Sequence, residues 1–148
     1  MAKVSAGILL YRKYGENLEV LLVHPGGPFW GKKDDGAWSM PKGEVGEGEE
    51  LLVAAKREFQ EELGLRPPEG DYRGLGYVKL KGGKVVHAWV ALADLDVSNF
   101  KSKNFTMEWP MGSGREGSFP EVDKAQYFNI ETARVKMNTS QAVFLDLL

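Results

Sequence analysis

The chain has 148 residues, the size of one domain, and 43% apolar with 27% charged residues is ordinary globular usage. It contains no cysteine, which excludes disulfides, thiolate nucleophiles and cysteine-based zinc sites. A net charge of −2, from 19 basic and 21 acidic side chains, excludes the broadly basic footprint of a general nucleic-acid binder. The apolar run at 6–10 is too short for a signal-peptide core, and no stretch approaches the roughly 20 apolar residues of a membrane span. The expectation is one soluble, cytoplasmic domain over residues 1–148.

Residues 4–11 and 18–23 are β-rich runs parted by a polar segment and are predicted strands. From His24 the chain is rich in Gly, Pro and charge and reads as a loop, with a short strand candidate at 37–40 stopped by Pro41. Residues 43–50 are acidic and punctuated by glycine. Residues 50–63 read as a helix, because Leu52, Ala55, Phe59 and Leu63 share one face. Glu49 and Glu50 suit the positive end of its dipole. Gly64 sits where a terminating glycine belongs, with Pro67 and Pro68 beyond it. Residues 72–80 and 85–92 are predicted strands joined by a glycine-rich turn. Residues 95–120 form a long polar stretch carrying Phe105, Trp109 and Phe119, a functional or mobile loop by its length. A last strand at 125–130, a short helix at 131–137 and a terminal helix capped by Asn138 complete the chain.

The middle helix contains a conflict. Glu58, Glu61 and Glu62 lie in its last two turns within an arc of roughly a quarter-turn or a little more. Like charges at i,i+4 destabilise a helix, and carboxylates near its C-terminus oppose the dipole. A hard cation resolves the conflict, since carboxylate oxygens are the ligands Mg²⁺ prefers. A solvated acidic face served by Lys56 and Arg57 is the competing reading on helix data alone.

Spacing decides between them. Gly43 is followed by five residues and Glu49, then by seven residues and the run Arg57, Glu58, Phe59, Gln60, Glu61, Glu62, Leu63, Gly64, Leu65. This resembles the complete signature of the Nudix hydrolase family, G-x5-E-x7-R-E-U-x-E-E-x-G-U, in which U is a bulky apolar residue. Phe59 is the less usual choice at a U position. Trp38, Pro41 and Lys42 also resemble the family's lead-in, W-x-x-P-K-G.

The resemblance implies an α/β fold, an α/β/α sandwich around a mixed β-sheet. It implies cleavage of a nucleoside diphosphate linked to another group. The implied cofactor is Mg²⁺, with Mn²⁺ as a substitute, held by Glu58, Glu61, Glu62 and the Gly43 carbonyl; it neutralises diphosphate oxygens and activates water. A carboxylate acts as general base, either Glu61 or Glu121, which precedes an aromatic-containing strand as in the asymmetric dinucleoside tetraphosphate hydrolases. Glu108 is the weaker competitor for that place. Glu49 and Arg57 look like the family's structural ion pair, with Arg57 orienting the helix carboxylates. Lys42 is placed to meet a phosphate oxygen or to pair with the acidic cluster.

Tyr77 and Lys79, on one side of a strand, are candidates to stack a base and meet phosphate; Lys81 and His87 lie near them. His24 and His87 read as structural. Trp30 and Trp109, in loops, suit base stacking or a lid, and Arg115 is either a mobile phosphate contact or solvated. Within the family, the dinucleoside polyphosphate branch fits best. A nucleoside triphosphate, a capped or triphosphorylated RNA 5′ end, or a diphosphoinositol stays open as substrate, although no basic stripe favours RNA. Monomer and homodimer both stay open. A catalytically silent nucleotide sensor would need a damaged signature, and an isoprenoid diphosphate isomerase would want a thiol. A purely structural protein leaves the carboxylate cluster unexplained.

Overall fold

The centre of the molecule is β1 (Val4–Tyr14), whose residues 5–10 are all buried, because both of its faces are covered. The structure is a computed structural model and describes residues 3–80 and 82–148, so the candidate Lys81 lies outside the described residues. β1 pairs in parallel with β5 (Val85–Leu92) along one edge. Its other edge is shared between two antiparallel partners. Tyr11 to Tyr14 pair with β2 (Asn17–Pro25), and Ser5 to Gly7 pair with β3 (Lys42–Glu44). With β4 (Arg73–Lys79) beside β5 and β8 (Val122–Asn129) beside β2, the sheet order is β4-β5-β1-β2-β8, with β3 attached to β1.

Alternation along the strands builds two cores. Ala6, Ile8, Leu10, Leu21 and Val23 face the helix α1 (Leu51–Leu63), which buries Ala54, Ala55, Phe59 and Leu63 against them. Leu9, Val20, Leu22, Val86, Ala88 and Val90 face the opposite way. They pack on Ala133 of α2 (Ile130–Lys136), on Met137, and on Phe144 and Leu145 near the C-terminus. This is the expected α/β/α sandwich around a mixed sheet. No helix among the described residues is long and apolar enough to cross a membrane.

Several elements differ from the sequence reading. The acidic, glycine-punctuated segment contains β3, a polar strand made only by its pairing with β1. The strand candidate at 37–40 is reduced to isolated bridges of Ser39 with Val23 and of Trp38 with Met137. The long stretch 95–120 folds part of its length into a separate hairpin of β6 (Asn104–Glu108) and β7 (Glu116–Pro120). Phe105, Met107 and Phe119 alternate with exposed neighbours on its strands. The terminal helix is a short α3 (Thr139–Ala142), capped by the Asn138 side chain, followed by a 3-10 turn at Val143–Leu147.

Candidate active site

α1 ends in Gly64, which adopts the left-handed conformation at φ 65° and donates its N–H to the Gln60 carbonyl at 2.7 Å. A Cβ at this position would run into the Lys101 carbonyl, so the glycine also lets the next segment close over the helix end. There the Lys101 N–H donates to the Leu63 carbonyl at 2.7 Å and the Lys103 N–H to the Glu61 carbonyl at 3.1 Å. Two otherwise orphaned helix carbonyls are thereby satisfied.

Glu58 is buried, and its carboxyl lies directly over Gly43 of β3. A Cβ at Gly43 would overlap that carboxyl, so only glycine allows this approach. Arg57 organises the neighbouring acids. Its Nε donates to Glu49 Oε2 at 2.8 Å and its Nη2 to Glu49 Oε1 at 3.0 Å, a bidentate pair. Its Nη1 donates to Glu58 Oε1 at 2.7 Å and to Glu61 Oε2 at 3.1 Å, while Nη2 also reaches the Glu44 carbonyl at 3.0 Å. Glu49 further accepts from the Gly46 N–H at 2.8 Å. These bonds, those from Arg57 first, hold the Glu49 carboxyl at about 2 and raise the Arg57 guanidinium above its ordinary value.

Glu62 behaves in the opposite way. Burial pushes its carboxyl up to about 8; Lys42 opposes this, and repulsion from Glu58 and Glu121 adds to it. Burial likewise lowers the Lys42 ammonium, with Lys84 contributing and the nearby Glu62, Glu58 and Glu44 opposing. Glu121 is brought to the same cluster. Burial raises its carboxyl, Lys103 opposes, and Glu58 and Glu61 raise it further. Backbone bonds fix it: its N–H donates to the Lys103 carbonyl at 2.9 Å, and its carbonyl accepts from Gly26 at 3.0 Å.

Lys103 was missed in the sequence. Its ammonium lies 3.2 Å from Glu61 Oε2 and 4.0 Å from Glu121 Oε1, which raises its own proton affinity. No spacing signal announces it, because its position follows from the segment that closes the end of α1.

The remaining candidates separate. Glu108 accepts from Gly112 at 2.7 Å and closes the tip of the β6–β7 hairpin, away from the role considered for it. Tyr77 is 64% exposed and meets the His87 ring at 5.4 Å, with Trp89 stacked behind His87 at 6.3 Å. Among the described residues neither Tyr77 nor Lys79 is hydrogen-bonded or ion-paired to an α1 carboxylate. His24 is structural: buried, 2.7 Å from Asp123 and 2.5 Å from the Lys33 carbonyl, it ties the following loop to β8. Trp38 is core, and Arg115 lies exposed in the hairpin tip.

The donors around Gly43 are all oxygens, the set that hard cations take. Burial chiefly raises the Glu62 proton affinity, and repulsion from Glu58 and Glu121 adds to it; a bound cation would relieve that repulsion. On both counts the residues fit a divalent cation. Among the described residues, however, no three acidic or histidine side chains converge on one point, and Glu61 is turned toward Arg57 and Lys103.

Fold and site together define a three-layer domain with an acidic helix laid over a glycine of the sheet. The family model of the NUDIX domain matches residues 1–148, and the chain belongs to this family. The asymmetrical bis(5′-nucleosyl)-tetraphosphatase of Rattus norvegicus is 34% identical over 111 residues, 66% of this chain and 70% of that protein. An RNA pyrophosphohydrolase of Caulobacter vibrioides is 45% identical over 58 residues, 36% of this chain, and the match spans only 34% of that protein's length. The solved structure of a C. elegans Ap4A hydrolase binary complex superposes with a TM-score of 0.68 at 20% identity, over 97% of this chain and 93% of that one, and shares the fold.

Proposed function

We propose that the chain is a cytoplasmic, Mg²⁺-dependent hydrolase that cleaves a diphosphate linkage between a nucleoside and a second group, with dinucleoside polyphosphates as the leading substrate class. The observation that carries this reading is the Arg57-organised carboxylate cluster over Gly43. The rat tetraphosphatase supports the substrate class, being the relative with the longest match among those named. A triphosphorylated RNA 5′ end is the second reading, supported by the shorter Caulobacter match.

In this reading Glu58, Glu61, Glu62 and the Gly43 carbonyl hold the cation, and Mn²⁺ can replace Mg²⁺. When bound, it supplies charge neutralisation at the diphosphate and activation of water. Arg57 holds Glu58 and Glu61 in position while Glu49 anchors Arg57. Glu61, which is paired with Arg57 and Lys103, would be one of the residues that hold the cation, and the Lys103 ammonium beside it would meet a phosphate oxygen. Lys42 supplies a second cationic contact. Glu121 takes the proton of the attacking water, its raised proton affinity supporting the role of base, and Glu61 is the alternative. Tyr77 and Lys79 are the outlying substrate contacts.

A panel of diadenosine tetraphosphate, nucleoside triphosphates, triphosphorylated RNA and diphosphoinositol, with Mg²⁺ or Mn²⁺ and products read by mass, tests the class and identifies the bond broken. Glu61→Gln and Glu62→Gln are each expected to lower turnover by about 100-fold or more with the fold retained. Parent-like turnover in both variants would refute the proposal.

A further inference from the structure

A cavity of about 250 Å³ lies between residues 25–30 and the β6–β7 hairpin. Phe29, Trp30, Phe105 and Met107 line it, and Glu121 is its one charged wall. Two consecutive glycines press the loop onto the hairpin. Gly27 has φ +99°, and the Phe105 ring lies 2.8 Å from where its Cβ would be. A Cβ at Gly26 would run into the Pro120 carbonyl. Neither wall can therefore close this tightly with a larger residue. The loop is anchored behind the wall by His24, and the Lys33 ammonium lies 5.0 Å from the Trp30 ring centroid.

The aromatic walls stay open to solvent: Phe29 is 52% and Trp30 42% exposed. Phe29 is held edge-on to Trp109 at 5.4 Å, so the exposed ring is braced rather than free. A concave recess with apolar walls and one polar group is the usual form of a small-molecule subsite. Its occupant is indicated by what adjoins it. Glu121 belongs to both the cavity and the carboxylate cluster, and the Lys103 ammonium stands between Glu121 and Glu61. A flat apolar group joined to an anionic chain matches both ends. A lipid tail or a peptide side chain does not bring that chain.

We propose that this cavity binds the nucleobase of the substrate, with the phosphate chain running past Glu121 and Lys103 toward α1. The inference rests on the hydrolase reading only for its choice of substrate. The row of Tyr77, His87 and Trp89 is the competing stacking surface.

The experiment uses the full chain. Free adenosine, guanosine, cytidine and uridine are titrated against the ¹⁵N-labelled protein, and the Michaelis parameters of whichever nucleotides the parent hydrolyses are measured for Trp30→Ala and Phe29→Ala. At least one nucleoside is expected to shift the amides of Gly26 and Gly27 and the indole of Trp30. Each variant is expected to raise KM by about 5-fold or more, the lower end of what one lost base–aromatic stack costs. Turnover number should stay within about 2-fold, because the stack is the same in ground and transition states. Both substituted side chains are exposed, and the amide spectrum verifies that the fold survives. Shifts confined to Tyr77, His87 and Trp89, a larger KM increase in Tyr77→Ala than in Trp30→Ala, or no shift with any nucleoside would each overturn the assignment. Nucleoside shifts in the cavity without any nucleotide turnover would sink the hydrolase reading and leave the cavity assignment standing. Turnover with KM unchanged in both variants would do the reverse.

Discussion

α1 and α2 cover opposite faces of one sheet and follow opposite rules at their ends. In α2, the Asn129 side chain accepts from Thr132 N at 2.8 Å, Glu131 lies in the first turn, and Arg134 and Lys136 lie in the last. Both basic residues are paired, Arg134 with Asp146 and Lys136 with Asp34 and Asp35. Every choice agrees with the helix dipole. α1 has no side-chain cap at Glu50, no acid in its first turn and no base in its last turn. Its acids sit where bases belong. What holds it is tertiary: fully buried Ala54, Ala55, Phe59 and Leu63, and the Gly64 cap under the Lys101 carbonyl. The helix with local stability carries none of the proposed site residues. The helix without it concentrates its violations at Glu58, Glu61 and Glu62, the residues proposed to hold the cation, and local rules are commonly broken at functional sites.

The largest effect that would sharpen this contrast is at Gly43. Gly43→Ala displaces the Glu58 carboxyl while the apolar face of α1 stays in place. Hydrolysis is expected to fall about 100-fold, the scale set by misplacing a reacting group by about 1 Å, with helical circular dichroism retained. Near-parent turnover would show that the close approach of β3 is irrelevant to the chemistry.

The next effect is on stability without a cation. The Glu62 carboxyl stands at about 8 in the folded chain, against an ordinary glutamate value of roughly 4.3 when unfolded. Between those limits the folded state binds the extra proton, so stability falls as pH rises through that window. Glu62→Gln removes the decline. In chelator at pH 8 it should be more stable than the parent by a few kcal/mol, on the order of a few pKa units converted at about 1.4 kcal/mol each, and the gain should vanish near pH 4. Urea unfolding at both pH values measures it, and equal pH slopes in variant and parent would contradict the raised proton affinity of the buried Glu62 carboxyl. Glu49 works in the other direction: held at about 2, its contribution is lost only as pH falls from roughly 4.5 toward 2. The two windows meet only near the ordinary glutamate value, so each group is read on its own side of it.

The smallest effect belongs to α2. Asn129→Ala should cost about 1 kcal/mol of unfolding free energy, with turnover number unchanged. A loss of turnover larger than the loss of stability would end the division of labour between the two helices.

Legibility in the sequence follows the same division. The span of α1 was visible from Leu52, Ala55, Phe59 and Leu63 with Gly64 behind them, because a periodic apolar face and a stop signal are local features. The acidic arc was visible too, and the family resemblance supplied Gly43 and Glu121. The reason for Gly43 was not visible, since it lies in the Glu58 carboxyl above it. β3 is three polar residues that become a strand only beside β1. The β6–β7 hairpin was hidden by the glycines and prolines around it, although Phe105 and Met107 alternate at strand period. Lys103 carries no local mark at all, because only the docking of residues 101–103 on α1 brings it to Glu61.

That docking has a consequence for how substrate range can diversify. The hairpin stem is pinned at one end by the Lys103 N–H on the Glu61 carbonyl and at the other by Glu121, bonded to both Lys103 and Gly26. Everything between 103 and 121 hangs outside these pins. Doubling the length of such a loop costs only about 0.6 kcal/mol in closure entropy. Residues 104–120 thus form an exchangeable cassette: its length and its rings can be rewritten to suit a new base while the acid cluster beneath keeps its geometry.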